Sequence, residues 1–121
     1  MSKIPVALEV DYSKGHLGRI CLVGADGRLI FDSKKWKGQH ECYAERLKFL
    51  LADKIVIGLN LERRLESLSI EHPLGDLREI AGPWANRLPM PNGKCTPVDV
   101  AKGCLSFYKQ YKKKWMKEIG F

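Results

Sequence analysis

Hydrophobic and polar positions alternate as soon as the chain shows any pattern. In Val6-Ala7-Leu8-Glu9-Val10-Asp11-Tyr12, the side chains of Val6, Leu8 and Val10 fall on one side and those of Glu9 and Asp11 on the other, the two-residue period of a β-strand. The polar, glycine-containing stretch from Ser13 to Gly18 reads as a loop. Arg19-Ile20-Cys21-Leu22-Val23 predicts a second strand and Leu29-Ile30-Phe31 a third. Between them lies Gly24-Ala25-Asp26-Gly27-Arg28, whose Asp-Gly pair accepts the positive φ of a hairpin turn. An antiparallel meander therefore opens the chain, and its first strand carries two acids.

The period then changes. From Gln39 to Ala52 the spacing is helical, with Tyr43, Leu47, Leu50 and Leu51 on one stripe. Lys54-Ile55-Val56-Ile57-Gly58 is a short continuous apolar run, as expected of a buried parallel strand. Asn60 stands where an N-cap would open a helix from Leu61 to about Leu68, with Leu61, Leu65 and Leu68 inward. His72 to Pro97 is rich in Pro, Gly and Asn and reads as loop, with one helical turn near Leu77 to Ala81. Ala101, Cys104, Tyr108, Tyr111, Trp115 and Ile119 recur at three- and four-residue steps, so a long amphipathic helix runs from about Val98 to Ile119. At 100° per residue, Lys102, Lys109, Lys113 and Lys117 share a different face. The order β-β-β-α-β-α-loop-α describes a mixed sheet flanked by helices.

Composition sets the bounds. A chain of 121 residues with 45% hydrophobic and 29% charged content is one globular domain, residues 1–121, rather than a disordered tail. No apolar run approaches the roughly 20 residues that span a bilayer, and the N-terminus lacks the apolar stretch of a signal peptide. An intracellular location, nuclear or cytoplasmic, is expected. Cys21, Cys42, Cys95 and Cys104 are then buried reduced thiols; the alternative is a zinc set of His40, Cys42, Cys95 and Cys104, without any CxxC pair to support it. A net charge of +7 points to acidic partners such as nucleic acid.

The chemistry-bearing residues are the two acids of the first strand. Carboxylates at i and i+2 point the same way and can share divalent ions, and two-metal phosphodiester cleavage needs such a pair plus further acids. Ala7-Leu8-Glu9-Val10-Asp11, followed by Arg19 to Val23 and the Asp-Gly hairpin, resembles the opening of the DEDDh 3′-to-5′ exonucleases, in particular the eukaryotic RNA-exonuclease branch, where the strand reads A-L-D-x-E. Val56-Ile57-Gly58-Leu59-Asn60-Leu61-Glu62-Arg63-Arg64-Leu65-Glu66-Ser67-Leu68 is similar to that family's second motif, V-G-H-N-x-x-x-D-L-x-x-L, and His72-Pro73 and Asp76 follow as its H-P and D-T do. The resemblance covers roughly residues 5–80 and implies a ribonuclease-H-like fold, shortened, with a site for Mg²⁺ or Mn²⁺.

The departures from that pattern shape the expected function. Glu9 and Asp11 stand in swapped order, and Arg64 falls where the second motif has its Asp, placing a cation where the family has a metal ligand. The third motif, H-x-x-x-E-D-A, aligns on Cys95 to Ala101, which puts Cys95 on the general base and Val100 on the last Asp, with Asp99 one position away; in another alignment that motif is absent. The resulting expectation is a catalytically degenerate exonuclease-like domain, without a cofactor, that binds RNA, a protein partner, or both. The rival is a metal-dependent exoribonuclease with a reduced site of Glu9, Asp11 and one of Asp76 or Asp99; a third reading is a purely structural subunit.

Each candidate keeps an ordinary alternative. Glu9 and Asp11 are remnants of a metal pair or solvated acids at a strand's edge. Arg64 contacts phosphate, or pairs on the surface with Glu62, Glu66 or Glu9. Lys109, Lys113, Lys114 and Lys117, with Lys112, track a phosphate backbone or form a solvated face above buried aromatics. Trp36 and Trp84 anchor a protein partner or tuck over the core edge, and Pro83-Trp84 with Leu88-Pro89-Met90-Pro91 forms an apolar strip open to the same two readings. His16, His40 and His72 are scattered, and none is assigned catalysis.

Overall fold

The structure, a computed structural model, describes residues 3–13, 16–35, 40–88 and 96–118, without the side chains at positions 13, 16, 40–42, 83, 87 and 116. Among the described residues, five strands form one sheet: β1 (Pro5–Ser13), β2 (His16–Val23), β3 (Leu29–Asp32), β4 (Ile55–Gly58) and β5 (Leu77–Glu79). Three α-helices among the described residues accompany them: α1 (His40–Leu51), α2 (Leu61–Ser67) and α3 (Pro97–Glu118). The strand order is β3-β2-β1-β4-β5. The first three strands pair antiparallel, and β4 and β5 run parallel to β1.

Alternation along the central strand sorts the core into two halves. Val6, Leu8 and Val10 pack with Ile20 and Leu22 under Leu47 and Leu51 of α1 and Leu61, Leu65 and Leu68 around α2. Ala7, Val23 and Ile57 face the other way, under Ala101, Cys104, Phe107, Tyr108 and Trp115 of α3. The sheet is therefore covered on both faces, as parallel pairing requires. Of the stripe predicted for α3, Ala101, Cys104, Tyr108 and Trp115 are buried and Tyr111 is half-buried, Ile119 lies outside the described residues, and Phe107, outside that stripe, is fully buried as well. It stacks edge-on to Trp115 with ring centroids 5.5 Å apart.

The structure corrects three local expectations. The stretch from Ser13 to Gly18 is not a loop throughout, because β1 continues to Ser13 and β2 begins at His16. Tyr12 pairs with Leu17 while Val10 pairs with Ile20, so Gly18 and Arg19 oppose the single residue Asp11 as a β-bulge. Leu77 to Glu79 is a strand rather than a helical turn, since it finds β4 as a parallel partner; the helical turn lies just before it, at Leu74–Asp76. Asn60 is left-handed at φ 50° and makes no side-chain cap. Its role falls to Glu79, whose carboxylate accepts the backbone N–H groups of Asn60 at 2.5 Å and Leu61 at 2.7 Å. A carboxylate at a helix N-terminus satisfies otherwise orphaned donors.

Gly58 holds the junction between β4 and α2. A Cβ added there would lie 2.6 Å from the Leu8 carbonyl oxygen and 2.8 Å from Leu61 Cδ2. The carbonyl belongs to the central strand and has no room to yield. Gly58→Ala is expected to lower stability by about 1–3 kcal/mol, read as a lower urea midpoint at an unchanged slope.

Candidate functional site

Glu9 sits on β1 facing α3, at the centre of the sheet. It is only 5% exposed, so the expectation of a solvated acid at a strand's edge is corrected: β1 has neighbours on both sides, and α3 covers the face on which Glu9 lies. Arg64 reaches it from α2, with Nη1 2.6 Å from Glu9 Oε1. The pairing of Arg64 is therefore with Glu9 and buried, not with Glu62 or Glu66 on the surface; the two side chains are 11% and 7% exposed.

This pair is incompletely satisfied. The separation is that of an ion pair, yet Nη1 directs no hydrogen bond along it. Arg64 Nε and Glu9 Oε2 also lack hydrogen-bond partners among the described residues. Burial pushes the Glu9 carboxyl above its ordinary value, and the guanidinium offsets that only in part. Asp11, two residues on, is exposed. Together with Glu9, Pro97 and Val100 it lines a small cleft of about 110 Å³.

The other candidate acids are engaged elsewhere. Asp99 and Thr96 cap α3 reciprocally: Thr96 donates its N–H and hydroxyl to Asp99 Oδ2 at 3.0 Å each, and Asp99 N donates back to Thr96 Oγ1 at 3.2 Å. These bonds hold the Asp99 carboxyl below its usual value. Asp76 accepts from Lys3 at 2.5 Å. Leu77 is level with Val56 and hence with Val6, so Asp76 stands two strands across and about four residues short of Glu9, on the order of 15 Å away at ordinary sheet spacings. No group of three His, Cys, Asp or Glu able to hold a metal comes together among the described residues.

A polar row extends from Glu9 across the sheet. Cys21 is opposite Glu9, and Asp32 is opposite Cys21. Arg19 donates to Asp32 bidentately, Nε to Oδ1 at 2.9 Å and Nη2 to Oδ2 at 2.7 Å. The guanidinium of Arg19 holds the Asp32 carboxyl below the carboxylate range. Sequence reasoning had assigned neither residue a role. Burial pushes the Cys21 thiol up to about 11 and the Cys104 thiol, on the buried face of α3, up to about 12. Both are free and buried, as expected of reduced structural thiols. Cys95 and the side chains of His40 and Cys42, the rest of the zinc set, lie outside the described residues.

The lysines of α3 are exposed, opposite its buried aromatics. Lys109, Lys113 and Lys117 cluster on the outward face, whereas Lys114 projects from its flank, since five residues turn a helix through about 140°. Lys109 Nζ donates to the Ala25 carbonyl at 2.5 Å, and Lys112 lies 5.4 Å over the Tyr108 ring. Trp84 is half-buried, with its ring 5.6 Å from Phe107 and 6.1 Å from Tyr111. Leu88 packs on the same cluster. Trp36, Met90 and Pro91 lie outside the described residues. No helix among them is long and apolar enough to cross a membrane.

Sheet order, mixed pairing and helices on both faces define a ribonuclease-H-like α/β fold in shortened form. Among solved structures, the chain is similar to the pseudoubiquitin hydrolase–RNA exonuclease module of Pan2 from Saccharomyces cerevisiae, with a TM-score of 0.70 and 15% identity over 98% of this chain and 29% of that one. The same module in complex with AACCAA RNA matches with a TM-score of 0.70 at 15% identity, over 98% of this chain and 30% of that one. The Pan2 catalytic unit of Neurospora crassa, protease and nuclease domain, gives 0.71 at 10% identity over 97% of this chain and 28% of that one. The chain thus spans less than a third of the length of these proteins. No family model matches it, and no curated protein matches it in sequence.

Proposed function

We propose that residues 1–121 form one catalytically degenerate exonuclease-like domain of the DEDDh type, which acts as a binding module for RNA, for a protein partner, or for both. The observation that carries this reading is the guanidinium of Arg64 at 2.6 Å from Glu9. The residues around Glu9 do not fit the divalent ion that the resemblance implies. Glu9 already has a buried cation beside it, Asp11 is the only other acid lining the cleft among the described residues, and Asp76 and Asp99 are bonded elsewhere. A metal ion there would meet a fixed positive charge within its ligand shell.

Binding in this reading belongs to the α3 face, where Lys109, Lys113, Lys114 and Lys117 are exposed. The Pan2 module, similar in fold, has been solved in complex with RNA, which supports nucleic acid as the acidic partner of a chain with net charge +7. Arg64 serves as the counter-ion of Glu9 rather than as a phosphate contact.

End-labelled single-stranded RNA incubated with Mn²⁺ tests the absence of cleavage. Intact RNA is expected with the wild type, with Asp11→Asn and with the Glu9→Gln/Asp11→Asn double variant. A ladder of shortened products that Asp11→Asn abolishes would instead establish the reduced exoribonuclease. Asp11 is exposed, so that variant reports on chemistry rather than folding.

A further inference from the structure

An apolar groove lies on the opposite side of the sheet from α3, between α2 and the segment that follows it. Its volume is about 450 Å³, within the range of pockets that hold a ligand. Leu65, Ile70 and Leu77 line it from the core, the first two buried and the third half-buried. Leu74 stands at its margin 71% exposed, among the most exposed large apolar side chains described.

Charge around this groove runs against the character of the whole chain. Among the described residues, Glu62, Glu66 and Glu71 line it, all exposed, together with the half-buried His72, and neither Lys nor Arg does, although the net charge is +7. None of the three has an ion-pair partner among the described residues. Glu62 and Glu66 stand at i and i+4 on α2 and so project from one side of that helix. An apolar lining bordered by unpaired carboxylates repels phosphate and other anions. It complements a segment that inserts an apolar side chain and flanks it with Lys or Arg.

We propose that this groove docks a basic amphipathic segment of a partner protein, with Leu74 and Leu77 receiving its apolar anchor and Glu62, Glu66 and Glu71 receiving its flanking cations. The proposal deepens the binding-module reading by naming the chemistry of the protein partner. It uses residues separate from the lysine face, so RNA binding and partner docking can succeed or fail independently.

A labelled peptide of roughly 12 residues, with Leu on one helical face and Lys on the other, is the probe, and the same peptide with Glu in place of Lys is its control. Titration of the full ¹⁵N-labelled chain reads both affinity and location. The Leu/Lys peptide is expected to bind at least about tenfold more tightly than the Leu/Glu peptide and to shift the amides of residues 62–77. Leu74→Ser is expected to weaken it about fivefold or more, as loss of one apolar anchor does, and Glu62→Lys/Glu66→Lys to reverse the preference between the peptides. All three positions are exposed, and far-UV circular dichroism verifies each fold. Equal affinity for both peptides, shifts confined to other surfaces, or indifference to these substitutions would overturn the proposal, as would absence of binding. RNA affinity is expected to persist in Leu74→Ser; its loss there would count against two separate surfaces.

Discussion

Arg64→Met is expected to lower stability by about 3–5 kcal/mol, because it leaves the Glu9 carboxylate buried without its counter-charge. Methionine keeps most of the apolar stem of Arg64, so the loss is electrostatic rather than a cavity. The Glu9→Gln/Arg64→Met double variant removes both charges and is expected to recover most of that loss, since an ion pair in a dry interior repays its desolvation poorly. The pH dependence has a definite sign. The folded Glu9 carboxyl already lies above its ordinary value of 4.5, so the native state binds its proton more tightly than the unfolded chain does. Stability gained that way is complete below the unfolded value and is lost as pH rises through the folded one. Without the guanidinium the folded value moves further up, and the loss becomes steeper. Urea unfolding at pH 5 and pH 8 should therefore show Arg64→Met losing more between the two than the wild type does, with the double variant nearly flat. A single variant that costs under about 1 kcal/mol, with no added pH dependence, would mean that the pair is hydrated and exerts no hold on the site.

Much of this fold could be read from periodicity, and the misses share a cause. The alternation in β1, the apolar run of β4 and the stripe of α3 are local signals, and all three elements lie where those signals put them. β5 is three residues long and exists only because β4 offers it a parallel edge; nothing within Leu77–Glu79 announces a partner some twenty residues earlier. Glu79 as the cap of α2 is hidden for the same reason. Glu9 misleads in another way. Alternation marks its side of β1 as polar, which in a half-exposed sheet means solvent, but here α3 covers that side. Whether a face is covered is a tertiary property.

The Arg19–Asp32 pair shows how one bulge can conceal a contact. Counting outward from the hairpin, Val23 pairs with Leu29, and an unbroken ladder would then set Asp32 opposite Ile20, on the side of α1 and α2. The register shifts by one between Leu22 and Val23, so Asp32 is opposite Cys21 and meets Arg19 on the side of α3. A one-residue slip moves every later side chain to the other face. The swap of Glu9 and Asp11 and the cation at position 64 were legible at once, because they are identities rather than contacts. What sequence could not supply was the 2.6 Å that joins them.

The second large effect concerns the lysine face. If Lys109, Lys113, Lys114 and Lys117 each neutralise one phosphate of a single-stranded RNA, the logarithm of the binding constant falls against that of salt with a slope of about −2.8, and a rise from 50 to 200 mM salt weakens binding about 50-fold. Charge reversal of all four to Glu removes those contacts and adds repulsion, so binding at 50 mM salt is expected to drop by at least about two orders of magnitude. The four side chains are exposed, and Lys109 alone among them holds a hydrogen bond among the described residues, to Ala25; the variant should therefore fold, as circular dichroism can verify. Fluorescence anisotropy with a labelled RNA over that salt range separates the readings. A steep slope that flattens by about three units in the variant assigns the RNA contact to α3. A wild-type slope near zero, or affinity unchanged by the reversal, would leave these lysines as a solubility face and shift the weight of the binding-module reading onto the acidic groove.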